Sequence, residues 1–158
     1  MNQGTILIVD DNEDVLFALN LLLKPHFRKV KVSTTPDRIA QFMESDDPDV
    51  ILLDMNFSRD ASSGQEGMEV LHDILRRDAE AVVVMMTAYS DMSKAINAIK
   101  AGATDFVAKP WENEKLIATL TAAAKLRQAR REKASLQKQV EGMAESSVPP
   151  IIGRSGAM

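Results

Sequence analysis

The chain is 158 residues long, the size of a single domain with some helix or tail to spare. Its 45% hydrophobic and 27% charged residues are globular in balance, which argues against a disordered or membrane-embedded chain. A net charge of −4 argues against nucleic acid as the partner of the whole chain, and the lack of cysteine excludes disulfides and thiolate metal sites. The longest apolar run, Ala81 to Met86, is far short of the ~20 residues that span a bilayer. MNQGTILIVDD has no basic region ahead of its apolar stretch, so no secretory leader is expected and the cytoplasm is the default compartment.

Thr5 to Val9 is a short apolar, β-branched run, and Val15, Leu16, Leu19, Leu22 and Leu23 then recur at helical spacing. Lys29 to Ser33 alternates at period two, as an edge strand does, and Thr35-Pro36 is a helix start carrying Ile39, Ala40, Phe42 and Met43. Asp49 to Asp54 is apolar between its acidic ends, as a central strand covered on both faces would be. Met68, Val70, Leu71, Ile74 and Leu75 predict a third helix. Ala81 to Met86 is the fourth strand, followed by a helix capped at Ser90 or Asp91 and stopped by Gly102. Thr104 to Ala108 is the fifth strand, and a last helix starts near Glu112. Strands alternating with helices predict an α/β fold, a doubly wound five-stranded parallel sheet.

In such sheets ligands bind beyond the carboxyl ends of the strands. Those ends carry Asp10 and Asp11, then Asp54, Thr87 and Lys109. Each alone has an ordinary explanation: Val-Asp-Asp and Thr87 as helix caps, Lys109-Pro110 as a solvated turn. Together they put three carboxylates, a hydroxyl and an ammonium on one rim. Packed carboxylates repel and need a cation, and hard oxygen donors without His or Cys favour Mg²⁺. A carboxylate can also be a nucleophile toward phosphorus, with a metal, a cation and hydrogen-bond donors meeting the charge on the phosphoryl oxygens.

The combination Val9-Asp10-Asp11, Leu52-Leu53-Asp54, Met86-Thr87-Ala88 and Asp105 to Trp111 (DFVAKPW) closely resembles the receiver domains of bacterial two-component response regulators over residues 4 to 125. The resemblance implies the flavodoxin-like strand order 2-1-3-4-5. It also implies Asp54 as phosphoacceptor, with Asp10, Asp11, Asp54 and the backbone carbonyl of Asn56 around Mg²⁺. Thr87 and Lys109 would bind phosphoryl oxygens, and small Ala88 would leave access. Phe106 stands at the aromatic switch position, where many members carry Tyr; Thr87 is its switch partner, and a plain core role for the ring is open. Neither His26 nor His72 lies at a strand end, so the phosphoryl group is expected from a separate sensor histidine kinase or a small phosphodonor. On this reading the chain is no enzyme beyond its own phosphorylation and dephosphorylation. An aspartyl-phosphate phosphatase would place a second Asp two residues after the nucleophile, where Asn56 stands. The other alternative is a phosphorylation-independent receiver-like dimerisation module.

Past the domain, Ala122, Leu126, Ala129, Lys133, Leu136, Val140 and Met143 follow spacings of four and three, a heptad seam predicting a coiled-coil homodimer through an extended C-terminal helix at 126–145. The six Lys/Arg between 125 and 138 read as charged flanks of that coil, since no aromatics interleave. Residues 146–158 then form a linker, and IIGRSGAM resembles the opening of the AAA+ domain of sigma-54-dependent (NtrC-type) activators. That implies a truncated transcription regulator that reaches DNA and sigma-54 RNA polymerase only through domains beyond this chain. No membrane contact is expected.

One segment departs from the family pattern. The Gly that opens the third helix usually lies about eight residues after the phosphoacceptor, but Gly67 is thirteen after Asp54. Residues 57–66 thus hold an insertion beside the site, in which Arg59, Asp60 and Glu66 either shape a rim or are inert and solvated.

Overall fold

The computed structural model describes residues 4–55 and 65–146, with side chains for all of these except 65, 66, 89 and 134–146. In chain order the elements are β1 (Thr5–Val9), α1 (Glu13–Leu23), β2 (Lys29–Ser33), α2 (Ile39–Ser45), β3 (Val50–Asp54), α3 (Gln65–Arg77), β4 (Val83–Ala88), α4 (Met92–Lys100), β5 (Asp105–Lys109) and α5 (Asn113–Ser146). The five strands form one parallel sheet in the order β2-β1-β3-β4-β5. The doubly wound α/β architecture and the 2-1-3-4-5 order are thus as the sequence implies. The chain divides into two compact units, Met1–Arg127 and Gln128–Met158.

Strand alternation splits the core into two layers. Ile6, Ile8, Leu52, Val84 and Met86 pack with Leu16, Leu19 and Leu23 of α1 and Leu116, Leu120 and Ala124 of α5. The opposite residues, Leu7, Val9, Leu53, Val83 and Met85, pack with Ile39 of α2, Leu71 and Ile74 of α3 and Ala98 of α4. β1 and β3 are buried along their whole length because both faces are covered, which accounts for their unbroken apolar runs. Among the described residues no helix is long and apolar enough to cross a membrane.

Element boundaries differ from the sequence reading in informative ways. β4 and β5 run to Ala88 and Lys109, so Thr87 and Lys109 are ladder residues and do not sit in turns after the strands. The second and fourth helices each enter through a 3-10 turn, Pro36–Arg38 and Tyr89–Asp91, and neither Thr35 nor Asp91 caps with its side chain. Gly102 ends α4 as expected, at a φ of 120 that favours glycine. β2 is an edge strand, but its half-buried Val30 and Lys31 blur the expected alternation.

Gly67 carries a different constraint. Its N–H donates to the Met55 carbonyl at 3.1 Å, and a Cβ there would lie 2.4 Å from that oxygen. Helix propensity alone would make Gly67→Ala stabilising by roughly 1 kcal/mol. The backbone carbonyl has no side-chain freedom to give way, so we expect net destabilisation of about 1–3 kcal/mol, read as a lower urea midpoint. A raised midpoint would contradict the packing described.

Candidate functional site

The site is assembled by register. Val9 pairs with Leu53, so Asp10 and Asp54 follow side by side at the ends of β1 and β3. β4 and β5 extend further, with Thr87 beside Ala108 and Ala88 beside Lys109. Alternation puts Asp10 with Ile8, Asp54 with Leu52 and Lys109 with Val107, all on the side of α1 and α5. Lys109 Nζ donates to Asp10 Oδ2 at 2.8 Å and to Asp54 Oδ1 at 3.3 Å. Asp10 is 1% exposed and Asp54 6%. Thr87 has the parity of Val83 and Met85, and Phe106 packs on their layer, so these two belong to the side of α4. Thr87 is buried, and its hydroxyl donates only a long bond, 3.5 Å, to the Ala88 carbonyl.

The cap question is answered by Asn12. Its Oδ1 accepts the N–H groups of Asp14 and Val15 at 2.9 and 3.3 Å, so neither Asp10 nor Asp11 is the N-cap of α1. Asp10 Oδ1 instead accepts the Asn12 N–H at 2.9 Å, which fixes the carboxylate over the sheet, and Asp11 stands exposed beside it. Asp10, Asp11 and Asp54 offer carboxylate oxygens that all lie within 4.8 Å of one another. Among the described residues this is the cluster able to hold a metal ion. One ammonium against three carboxylates leaves excess negative charge, and the all-oxygen donor set suits a divalent cation such as Mg²⁺.

Burial pulls the Lys109 ammonium down, but its hydrogen bond to Asp10 and the charges of Asp54 and Asp10 outweigh this, and the net shift is upward. A raised value means that the ion pair's stabilisation is fully present below the ordinary lysine range and is lost only as pH climbs beyond it. Lys109 therefore stays an ammonium throughout the neutral range.

Of the residues singled out from the sequence, Asp10, Asp11, Asp54 and Lys109 come together, Thr87 and Phe106 lie on the other side of the same strand ends, and Asn56 lies outside the described residues. So do residues 57–64 of the insertion and the terminal IIGRSGAM. The sequence reading missed two residues. Asn12 was legible as a capping residue one place beyond the acidic pair. Arg127, counted there among the charged flanks of a coil, is 8% exposed and paired with Asp47 and Asp78.

A five-stranded 2-1-3-4-5 sheet with an acidic pocket and a lysine at its carboxyl edge defines a receiver-type domain. The chain belongs to the response regulator receiver domain family, whose sequence model matches residues 6–121. Among curated proteins it is similar to a putative NtrX-like response regulator of Rickettsia bellii, 28% identical over 135 residues that cover 85% of this chain and 28% of that protein. It is also 25% identical over all 158 residues to the DNA-binding transcriptional regulator NtrC of Escherichia coli K12, of which it covers 31%. The chain thus spans about a third or less of the curated relatives it matches. Among solved structures, the receiver domain of a two-component response regulator from Bacteroides fragilis matches with a TM-score of 0.71 and 48% identity, over 77% of this chain and 96% of that one. NtrX from Brucella abortus in complex with ADP matches with a TM-score of 0.76 and 25% identity, over 87% of this chain and 30% of that one.

The charge balance at the rim makes opposite predictions for its two signs. In metal-free buffer Lys109→Met should cost about 2 kcal/mol, below the ~3–5 kcal/mol of a fully buried pair because the Lys109 side chain is 27% exposed. Asp54→Asn should raise stability by about 1 kcal/mol through relief of like-charge repulsion. Urea denaturation with EDTA present measures both, and shifts of the same sign would contradict the charge account.

Proposed function

We propose that Asp54 accepts a phosphoryl group from a histidine kinase, with Mg²⁺ held by Asp10, Asp11, Asp54 and the backbone carbonyl of Asn56. The observation that carries this reading is the Lys109 ammonium bridging Asp10 and Asp54 in a pocket of three close carboxylates. The Lys109 ammonium offsets the charge of the Asp54 carboxylate, whose free oxygen is the nucleophile. An Asp54 oxygen attacks phosphorus, the phosphorus–nitrogen bond to the donor imidazole breaks, and an acyl phosphate forms at Asp54. Bound Mg²⁺ would neutralise charge on the phosphoryl oxygens. Lys109 turns from the Asp54 oxygen to a phosphoryl oxygen, so its contact to Asp10 anchors the ammonium while its other partner changes. Thr87 donates its hydroxyl from the α4 side. Phe106, on that same layer and without a hydroxyl, follows Thr87 through packing alone. Hydrolysis of the acyl phosphate restores Asp54, so the chain turns over no substrate but its own modification.

For the output, we infer a cytoplasmic transcription regulator in which this domain controls an ATPase acting with sigma-54 RNA polymerase and a DNA-binding part, both beyond this chain. Similarity to a DNA-binding transcriptional regulator across all 158 residues, about a third of that protein, supports this. We also infer a homodimer through α5. Along that helix Leu116, Leu120, Ala123, Ala124 and Arg127 are buried, while Ala122, Leu126, Ala129 and Lys133 are exposed at heptad spacing. Leu136, Val140 and Met143 would continue the seam.

Acetyl phosphate with Mg²⁺ should add the mass of one phosphoryl group to the parent and none to Asp54→Asn, with EDTA abolishing the gain. Trp111, half-buried two residues after Lys109 and with its indole N–H on Asn113 Oδ1 at 3.1 Å, should change fluorescence as the adduct forms. A Mg²⁺-dependent adduct that survives Asp54→Asn would defeat the assignment. For assembly, light scattering across protein concentration should show a dimer, and Lys133→Leu should tighten it by removing a charge from the seam. A strict monomer at high micromolar protein would remove the coiled coil.

A further inference from the structure

The amino-terminal edge of the sheet, opposite the acidic rim, holds a second charged assembly that the phosphoryl chemistry does not use. Arg127 lies on α5, in the layer shared with α1, and is buried. Its Nη2 reaches around the edge of the sheet to the other layer and donates to Asp78 Oδ2 at 2.7 Å and to Asp47 Oδ1 at 3.2 Å. Both carboxylates are presented by turns. Asp78 follows α3, and its Oδ1 accepts the Glu80 N–H at 3.0 Å, so this side chain both shapes the turn and holds the guanidinium. Asp47, between α2 and β3, adopts a φ of 43, a left-handed conformation that Asp tolerates better than most residues. Arg127 Nε finds no hydrogen-bond partner, so the grip rests on the shared Nη2. Three segments far apart in sequence, from α2–β3, α3–β4 and α5, therefore meet on one guanidinium. A cleft of about 400 Å³ floored by Met43, Ile51 and Ala81 lies beside them.

The other end of α3 rests on the phosphoacceptor's neighbour. The Gly67 N–H bonds the carbonyl of Met55, the residue after Asp54, with no room for a side chain between them. α3 is thirteen residues long, a rod of roughly 20 Å at 1.5 Å per residue, and Leu71 and Ile74 seat it in the core. Packed helices shift as bodies, so α3 offers a path between Met55 and Asp78.

We propose that Arg127 is a positioning residue that couples α5 to the far end of α3, so that modification of Asp54 is felt by α5 through the Asp78–Arg127–Asp47 ion pair. This rests on the phosphoacceptor reading above. Hydrogen–deuterium exchange of the full chain, with and without beryllofluoride and Mg²⁺, tests it, and Trp111 fluorescence monitors adduct formation independently. In the parent, the adduct should change exchange of α5 amides around residue 127 by about threefold or more. In Arg127→Met the adduct should still form and the amides of α3 should still respond, but the α5 response should be lost. Should Arg127→Met not fold, Asp78→Asn serves, because it keeps the acceptor for the Glu80 N–H while removing the charge, and Asp47→Asn keeps a residue tolerant of the left-handed turn. Each should reduce the α5 response, and Arg127→Lys should restore part of it. A merely structural clasp would raise α5 exchange equally with and without beryllofluoride and leave the response intact, which would overturn the proposal. Adduct formation in the parent without any α5 response would overturn it too. Failure of the parent to form any adduct would bring down the phosphoacceptor reading together with it, an outcome the fluorescence arm distinguishes.

Discussion

One ammonium holds the carboxyl edge of the sheet together. Asp10 and Asp54 are almost fully buried at the ends of neighbouring strands, where two unpaired carboxylates would each carry a desolvation cost of several kcal/mol and repel one another. Lys109, 99 residues from Asp10 and 55 from Asp54, is delivered to both by β5 extending past the last rows of β1 and β3. The register of the whole sheet therefore decides whether the acidic pocket is tolerable. The hydrophobic layers fix that register, because a slip by one residue would turn Asp10, Asp54 and Lys109 to the wrong face.

The same alternation divides labour at the rim. Lys109 and the carboxylates lie on the side of α1 and α5, whereas Thr87 and Phe106 lie on the side of α4. A group bound between them is in reach of both helical layers at once. On the proposed reading this is what lets a small modification at Asp54 bias the packing of more than one helix, an electrostatic event at a point with a wider mechanical consequence. Gly67 and Arg127 mark a third direction, down α3 to the opposite edge of the sheet.

Much of this was legible in the sequence, and the parts that were not have identifiable reasons. Unbroken apolar, β-branched runs at Thr5–Val9 and Val50–Asp54 announce central strands because both faces are buried. The ends of β4 and β5 were placed short because Thr87 and Lys109 are polar and read as loop residues; only the partner strand reveals that the ladder continues through them. Thr35-Pro36 and Ser90 or Asp91 read as ordinary helix caps, but the chain enters each helix through a 3-10 turn. The acidic cluster was visible as a set of strand ends, whereas its lysine bridge depends on distances that no local pattern encodes. Arg127 was the least legible residue. Its partners are 80 and 49 residues away, and its neighbours made it look like one more surface charge on a basic helix.

Three carboxylates outnumber the one ammonium at this rim, so on the proposed reading the pocket takes one divalent cation. The decisive measurement is calorimetric titration of Mg²⁺ into the phosphate-free protein. It should show one saturable site, with affinity lowered about tenfold or more by Asp11→Asn or Asp10→Asn, each of which removes a charged ligand oxygen. No binding by the parent, or an affinity that neither substitution changes, would contradict it.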